Sequence, residues 1–309
     1  MKLPFLRALR AVWPQARIIW LTAGKSVFAS TLRPLTAGLL DGVIEETGLG
    51  DSWADILRSP PALPRADLLI DTQRQVRTSL MLRRLRPRIF VSAAAGWRLS
   101  TLVPADREKP PSMLGQMMRL LAACGAAPDL TRLPPLALPM AFADEAARRL
   151  PGDAIRIGLA PGAGDRRKCW PLERYLGLGA ALADRGLAPV ILLGPAEQSW
   201  TEAVTRHLPA AELPVRAEDS PLMTMAIARR LAAAVANDSG IGHLLAAAGT
   251  PLVSLFGPTS PEKFAPQATR LAILRAQDFG AEAMSAIPQE PVLKALTAVL
   301  PSKAGPGVL

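Results

Sequence analysis

Little in this chain can form a disulfide or hold a metal ion. Among 309 residues there are two cysteines and two histidines. Cys124 and Cys169 stand alone with no C-x-x-C, and His207 and His243 lie apart, so neither a disulfide framework nor a zinc site is expected. No apolar run approaches the ~18 uncharged residues of a membrane helix. Arg7 and Arg10 interrupt the stretch where a signal peptide keeps its apolar centre, so export is not expected. One tyrosine and no basic patch interleaved with aromatics argue against a nucleic-acid-binding surface despite a pI near 10.5. D-x-D is absent, which removes the usual carboxylate pair for a metal. The G-x-x-x-x-G-K-[ST] and G-x-G-x-x-G patterns are absent too, which excludes a P-loop NTPase and argues against a dinucleotide-dependent dehydrogenase.

What is present is positive charge, unevenly placed. The formal net charge is +10; residues 1–150 hold 21 Lys and Arg against 12 Asp and Glu, and residues 151–309 hold 15 against 14. A basic half beside a near-neutral one suggests that the first half meets an anionic partner. An acidic glycolipid or an anionic membrane surface fits that charge as well as nucleic acid does. Arg74, Arg77, Arg83, Arg84, Arg86 and Arg88 follow Asp71 closely. They read either as a solvated helix face or as part of that binding surface.

The chain length suits two α/β domains. In the first half, Leu3 to Val12, Gln75 to Leu85 and Ser112 to Cys124 are helical in pattern. Arg17 to Leu21, Leu39 to Glu45, Ala66 to Asp71 and Pro87 to Val91 read as strands. Residues 126–141 are proline-rich and carry no helical period, so the domains are expected to be 1–140 and 141–309. A helix at Phe142 to Leu150 leads into the second. There, strands at Ala154 to Leu159 and Ala188 to Leu193 alternate with helices at Pro171 to Arg185, Glu197 to Leu208 and Leu222 to Leu231. Alternation of this kind implies a doubly wound parallel sheet.

The most informative stretch is LAAAVANDSGIGHLLAAAGTPLVSLFGPTSP, from Leu231 to Pro261. Ala232 to Ala236 reads as a buried strand that breaks at Asn237-Asp238-Ser239-Gly240. Ile241, Leu244, Leu245 and Ala248 then mark one face of a helix, which Gly249 and Pro251 stop before the strand Leu252 to Phe256. A helix beginning at the carboxyl end of a parallel strand offers unpaired N–H groups to a phosphate. The plainer reading makes Asp238 or Ser239 an N-cap and no more. His243 falls opposite the apolar stripe and is expected to face solvent or a cleft. The loop Ala160-Pro161-Gly162-Ala163-Gly164-Asp165-Arg166-Arg167-Lys168-Cys169-Trp170-Pro171 leaves another strand on the same rim, with Pro171 expected in the first helical turn. Gly194-Pro195-Ala196-Glu197 follows the next strand, and Glu197 there suits either its own helix dipole or a pair of sugar hydroxyls.

Together these runs resemble glycosyltransferase family 9, the lipopolysaccharide heptosyltransferases and their relatives. Asp238-Ser239-Gly240-Ile241-Gly242-His243, followed by Thr250-Pro251 and Phe256-Gly257-Pro258-Thr259, is similar to the family's D-[TS]-G-x-x-H turn and its strand ending in G-P-T. The loop to Pro171 is similar to H-P-G-(A/S)…K-x-W-P, with Ala160 where the family has His. Glu197 matches the glutamate of G-x-x-E. The resemblance runs over 3–300 and is strongest over 155–262.

The resemblance implies a GT-B arrangement, two Rossmann-like domains facing across a cleft. It also implies inverting, metal-independent transfer of a heptose-type sugar from a nucleotide diphosphate, ADP-heptose, to an anionic lipopolysaccharide-core acceptor. No cofactor is implied beyond that donor. Lys168 and the N–H groups around Ser239 and Gly240 would meet the diphosphate, with His243 adding a donor. Glu197 would take the ribose and Asp238 the donor-sugar hydroxyls. Arg74 and Arg77 are expected to line the acceptor side because they follow the strand end at Asp71 and their planar forks suit anionic groups. The setting implied is a cytoplasmic monomer touching the inner face of the inner membrane, with no nucleic-acid partner.

One departure stands out. Leu3-Pro4-Phe5-Leu6-Arg7-Ala8-Leu9 matches the helix that in the family follows a first strand and a Gly-Asp turn. The first domain is therefore expected to lack that strand and the general-base aspartate. A start site assigned too late would explain the absence; the alternative is a catalytically impaired sugar-nucleotide-binding protein. Asp71, at the end of the Leu68-Leu69-Ile70 strand, is the carboxylate candidate for the base. Capping the next helix or pairing with Arg74 is its other reading.

Overall fold

The computed structural model describes residues 2–49, 52–53, 63, 65–130, 133 and 136–301. It divides into two compact units, Met1–Leu133 and Pro134–Leu309. The division falls inside the proline-rich segment, of which residues 131–132 and 134–135 lie outside the described residues.

The first unit runs α1 (Leu3–Val12), β1 (Ile19–Leu21), α2 (Arg33–Thr36), β2 (Gly42–Ile44), β3 (Leu68–Asp71), α3 (Val76–Arg83), β4 (Ile89–Ser92) and α4 (Met113–Ala123). β1 pairs in parallel with β2, and β3 with β4, as two separate two-stranded sheets. Among the described residues no strand bonds to both pairs. The strands are shorter than the apolar runs suggest. The run from Leu39 loses its start because the amides of Leu39 and Leu40 both bond to the Thr36 carbonyl, finishing the turn of α2 before β2 begins. Phe5, Leu6 and Ala8 of α1 pack with Leu114, Met117 and Leu121 of α4, and Trp20 meets Phe28 edge-on at 5.3 Å. Ser112 starts α4 by accepting the Gly115 amide on its hydroxyl at 2.9 Å.

The second unit contains α5 (Met140–Arg149), β5 (Arg156–Ala160), α6 (Leu172–Ala183), β6 (Ala188–Ile191), α7 (Thr201–His207), α8 (Pro221–Ala228), β7 (Ala233–Asn237), α9 (Gly240–Ala248), β8 (Leu252–Phe256), α10 (Pro261–Phe264), β9 (Leu271–Arg275) and α11 (Gln289–Val299). Its strands form one parallel sheet of order β6-β5-β7-β8-β9. Alternating side chains feed two apolar layers. Ile157, Leu159, Ala233 and Val235 join Tyr175 and Leu178 of α6 and Val292 and Leu296 of α11 on one face. Ala160, Ala234 and Ala236 join Ala146 of α5, Ile227 of α8 and Leu245 of α9 on the other. Both faces are covered, which is why β5, β7 and β8 are buried at every position and read as continuous apolar runs. Gly249 ends α9 at φ +89°, a conformation that costs a residue with a side chain ~1–2 kcal/mol.

The stretch after Phe256 was not legible as structure. β9 is an edge strand with only partial burial, and α11 carries a proline in its first turn, so neither shows a clean period. The run from Glu197 is not a single helix. Pro195–Trp200 is a 3-10 turn, and α7 follows it. Pro171 sits one residue before α6, in extended backbone, rather than inside it.

Candidate functional site

In the second unit, the loops that leave β5, β7 and β8 meet. β7 ends at Asn237 and α9 begins at Gly240, with Ser239 between them in extended backbone (φ −148°, ψ 168°). Ser239 occupies the N-cap position but makes no capping bond. Its Oγ is buried with no hydrogen-bond partner among the described residues. The first turn of α9 therefore keeps its N–H groups uncapped by side chains, and a buried hydroxyl beside them lacks a partner.

Asp238 is not a cap either. Its Oδ2 accepts from Lys168 Nζ at 2.8 Å and from Thr259 Oγ1 at 2.8 Å. Lys168 closes the 3-10 turn Arg166–Lys168, which Asp165 starts by accepting the Arg167 amide at 3.0 Å. Its ammonium also lies 5.9 Å from the centre of the Phe264 ring. Thr259 and Phe264 come from the loop and short helix after β8. The Gly-Pro-Thr run was visible in the sequence, but the contact of Thr259 with Asp238 depends on the β7–β8 pairing and has no local signal.

Glu197 lies between the exits of β5 and β6. A Cβ on Gly162 would lie 2.7 Å from each Glu197 carboxylate oxygen, and one on Gly194 would lie 2.6 Å from Oε2. Both glycines thus make room for this carboxylate, which has no hydrogen bond or ion pair among the described residues. His243, in the first turn of α9, is half-buried. Burial pushes its imidazole down to about 4, against the opposing pull of Asp238, so it is neutral at pH 7. Lys168, Glu197, Asp238, Ser239, Gly240 and His243 all belong to this one unit. Among the described residues no three His, Cys, Asp or Glu side chains gather as metal ligands. No helix among them is long and apolar enough to cross a membrane.

The first unit holds the other three candidates. Asp71 is 1% exposed. Its Oδ1 accepts the Gln73 amide at 2.8 Å, and its Oδ2 accepts the hydroxyls of Ser79 and, at 2.9 Å, Ser92. It does not pair with Arg74, and the cap position of α3 is Gln75. This geometry makes Asp71 a brace joining β3, α3 and β4. A buried carboxylate with both oxygens engaged is poorly placed to take a proton from a substrate hydroxyl. Arg74 instead donates from Nη1 to Gln116 Oε1 at 2.7 Å, from a left-handed backbone at φ +60°. Arg77 is half-buried, and its Nε has no hydrogen-bond partner among the described residues.

Comparison with known proteins identifies a family and a fold. The model of glycosyltransferase family 9 (heptosyltransferase) matches residues 62–289. Lipooligosaccharide heptosyltransferase 2 of Haemophilus influenzae is 31% identical over 129 residues, which is 40% of this chain and 37% of that protein. The chain thus matches little more than a third of that relative's length. Among solved structures, E. coli ADP-heptose LPS heptosyltransferase II has the same fold, with a TM-score of 0.67 at 22% identity over 98% of this chain and 95% of that one. E. coli heptosyltransferase WaaC, solved with ADP, gives 0.66 at 18% identity over 96% and 95%.

Proposed function

This chain belongs to glycosyltransferase family 9, and from that premise we propose that it moves a heptose-type sugar from ADP-heptose to a lipopolysaccharide-core acceptor. The observation that carries the reading is the meeting of Lys168, Asp238 and Thr259 beside the uncapped start of α9. A cation, a row of N–H groups and an unpartnered hydroxyl at Ser239 suit a diphosphate. The open carboxylate of Glu197 suits the two hydroxyls of a ribose. The presence of ADP in the E. coli WaaC structure supports the same donor here.

In this reading the acceptor hydroxyl attacks the anomeric carbon from the side away from the diphosphate. The new C–O bond forms as the bond to the diphosphate breaks, the configuration inverts, and the proton of the acceptor hydroxyl passes to water. Charge gathering on the departing ADP is met by Lys168 and the α9 N–H groups without a metal ion, the kind of fixed electrostatic stabilisation that dominates many transfers. His243 donates or accepts one hydrogen bond as a neutral ring, and Asp238 orients sugar hydroxyls. Arg74 and Arg77 meet the anionic acceptor, for which a planar guanidinium is suited. The cationic first unit also draws a cytoplasmic monomer to an anionic membrane face.

The test is to incubate the full chain with ADP-heptose and a heptose-deficient lipopolysaccharide core, with and without EDTA. Release of ADP with an inverted glycosidic product, unaffected by EDTA, is expected. No product, retention of configuration, or loss of turnover in EDTA would each contradict part of the reading.

A further inference from the structure

One buried amide ties together the two chain segments that carry the Lys168–Asp238 pair. Asn237 is the last residue of β7 and is 0% exposed. By the alternation of the strand its side chain lies on the same face as Ala233 and Val235, in the layer formed with α6 and α11. A bare amide there would be costly, so its partners are informative. Oδ1 accepts the Trp170 backbone N–H at 3.1 Å and the Tyr175 hydroxyl at 3.1 Å, and Nδ2 donates to the Pro161 carbonyl at 2.8 Å. Trp170 is held further by its indole N–H, which donates to the Ile287 carbonyl at 2.9 Å, and by an edge-on contact with Tyr175 at 5.0 Å.

The pattern is specific. The peptide N–H of Trp170 can only donate and the Pro161 carbonyl can only accept, so the amide has one possible orientation. Aspartate at this position lacks the donor, and leucine lacks both functions. Pro161 and Trp170 are the two ends of the loop after β5. Lys168 stands two residues before the Trp170 anchor, and Asp238 directly follows Asn237.

We infer that Asn237 is a positioning residue for the donor diphosphate, holding the Pro161–Trp170 loop in the one register that sets Lys168 against Asp238. The inference rests on the reading of Lys168 as a diphosphate ligand. Asn237 touches no substrate in this account and acts through Lys168. Tyr175 supports it by supplying a third hydrogen bond to the amide.

The experiment is calorimetry with ADP on the full chain carrying Lys168→Ala, Asn237→Asp, Tyr175→Phe, and Asn237→Asp combined with Lys168→Ala. Asn237→Asp is expected to weaken ADP binding at least tenfold at pH 7.5, because a carboxylate then faces the Pro161 carbonyl. The deficit relative to the unsubstituted chain should narrow as pH falls and the protonated acid regains a donor, a profile that simple loss of packing would not give. The double variant should bind no more weakly than Lys168→Ala alone, because the effect passes through the lysine. Tyr175→Phe keeps two of the three bonds and should fold, with a severalfold loss of its own. If Lys168→Ala weakens ADP binding while Asn237→Asp and Tyr175→Phe do not, or if the losses add in the double variant, the positioning role is overturned and the diphosphate reading stands. If Lys168→Ala binds ADP as tightly as the unsubstituted chain, the diphosphate reading itself fails.

Discussion

The two units solve the same local problem in different ways. Wherever the described backbone of the second unit turns left-handed it uses glycine, at Gly152, Gly186, Gly249 and Gly280. The first unit also puts Glu46, Arg74, Arg86, Ala95 and Trp97 there. Glu46, Arg74 and the Ala95–Trp97 turn each follow the end of a strand: β2, β3 and β4. β5, β7 and β8 are buried at every position, whereas β1 and β2 are only half-buried throughout. The contrast teaches where rigidity and strain reside. The unit with the Lys168 and Asp238 loops is held by a deep apolar sheet with glycine at its left-handed turns. The cationic unit has two half-buried strands, β1 and β2, and left-handed residues at the exits of β2, β3 and β4, where strain persists only if surrounding contacts enforce it.

The largest effect should come from emptying the deep sheet. Leu255→Ala in β8 is expected to cost about 2–5 kcal/mol, and Val43→Ala in half-buried β2 about 1 kcal/mol. Denaturant melts of the two variants would show it, and equal losses would erase the distinction. Hydrogen exchange followed by mass spectrometry offers a second comparison. Amides of β7 and β8 should exchange roughly 100-fold more slowly than those of β1 and β2. Slower exchange in β1 would reverse the picture.

Two glycine exchanges sharpen it further. Gly249→Ala should destabilise by about 1–2 kcal/mol through φ alone, since nothing lies within 4 Å of the added Cβ. Ala95→Gly should do the opposite, gaining about 0.5–1 kcal/mol after the entropy of glycine is subtracted. If both variants lose stability, the first unit does not store the strain attributed to it.

The smallest effect concerns His243. Its folded-state value of about 4 lies below the ordinary 6.5, so the unfolded chain takes up the proton first as pH falls. Stability linked to this group is present in full above pH 6.5 and is lost progressively as pH falls towards 4. His243→Gln should flatten that part of the pH–stability curve. An unchanged acid limb would show that burial of the ring does not control its titration.

Much of the second unit was legible because its elements are long, fully buried and punctuated by Asn-Asp-Ser-Gly and by Gly249-Thr250-Pro251. The loops carrying Lys168 and Glu197 could be placed on one rim because parallel strands all end on the same side. What was not legible depends on register between distant segments. Asn237 reads locally as a turn residue, and only the β5–β7 pairing, with Ala160 opposite Ala236, sets it beneath Pro161 and Trp170. Thr259 meets Asp238 for the same kind of reason. The setting of Asp71 was not legible either, because the hydroxyls that occupy it come from Ser79 and Ser92, on two other elements.

The central claim, that donor recognition resides in the second unit, can be put to one calorimetric titration. ADP is titrated into the unsubstituted chain, into Lys168→Ala, and into the Arg74→Ala, Arg77→Ala double variant. The expected result is a loss of about 1.5–3 kcal/mol for Lys168→Ala, the range for a hydrogen bond to a charged group, with no change for the arginine pair. ADP affinity that survives the loss of Lys168 but falls with the two arginines would contradict the account.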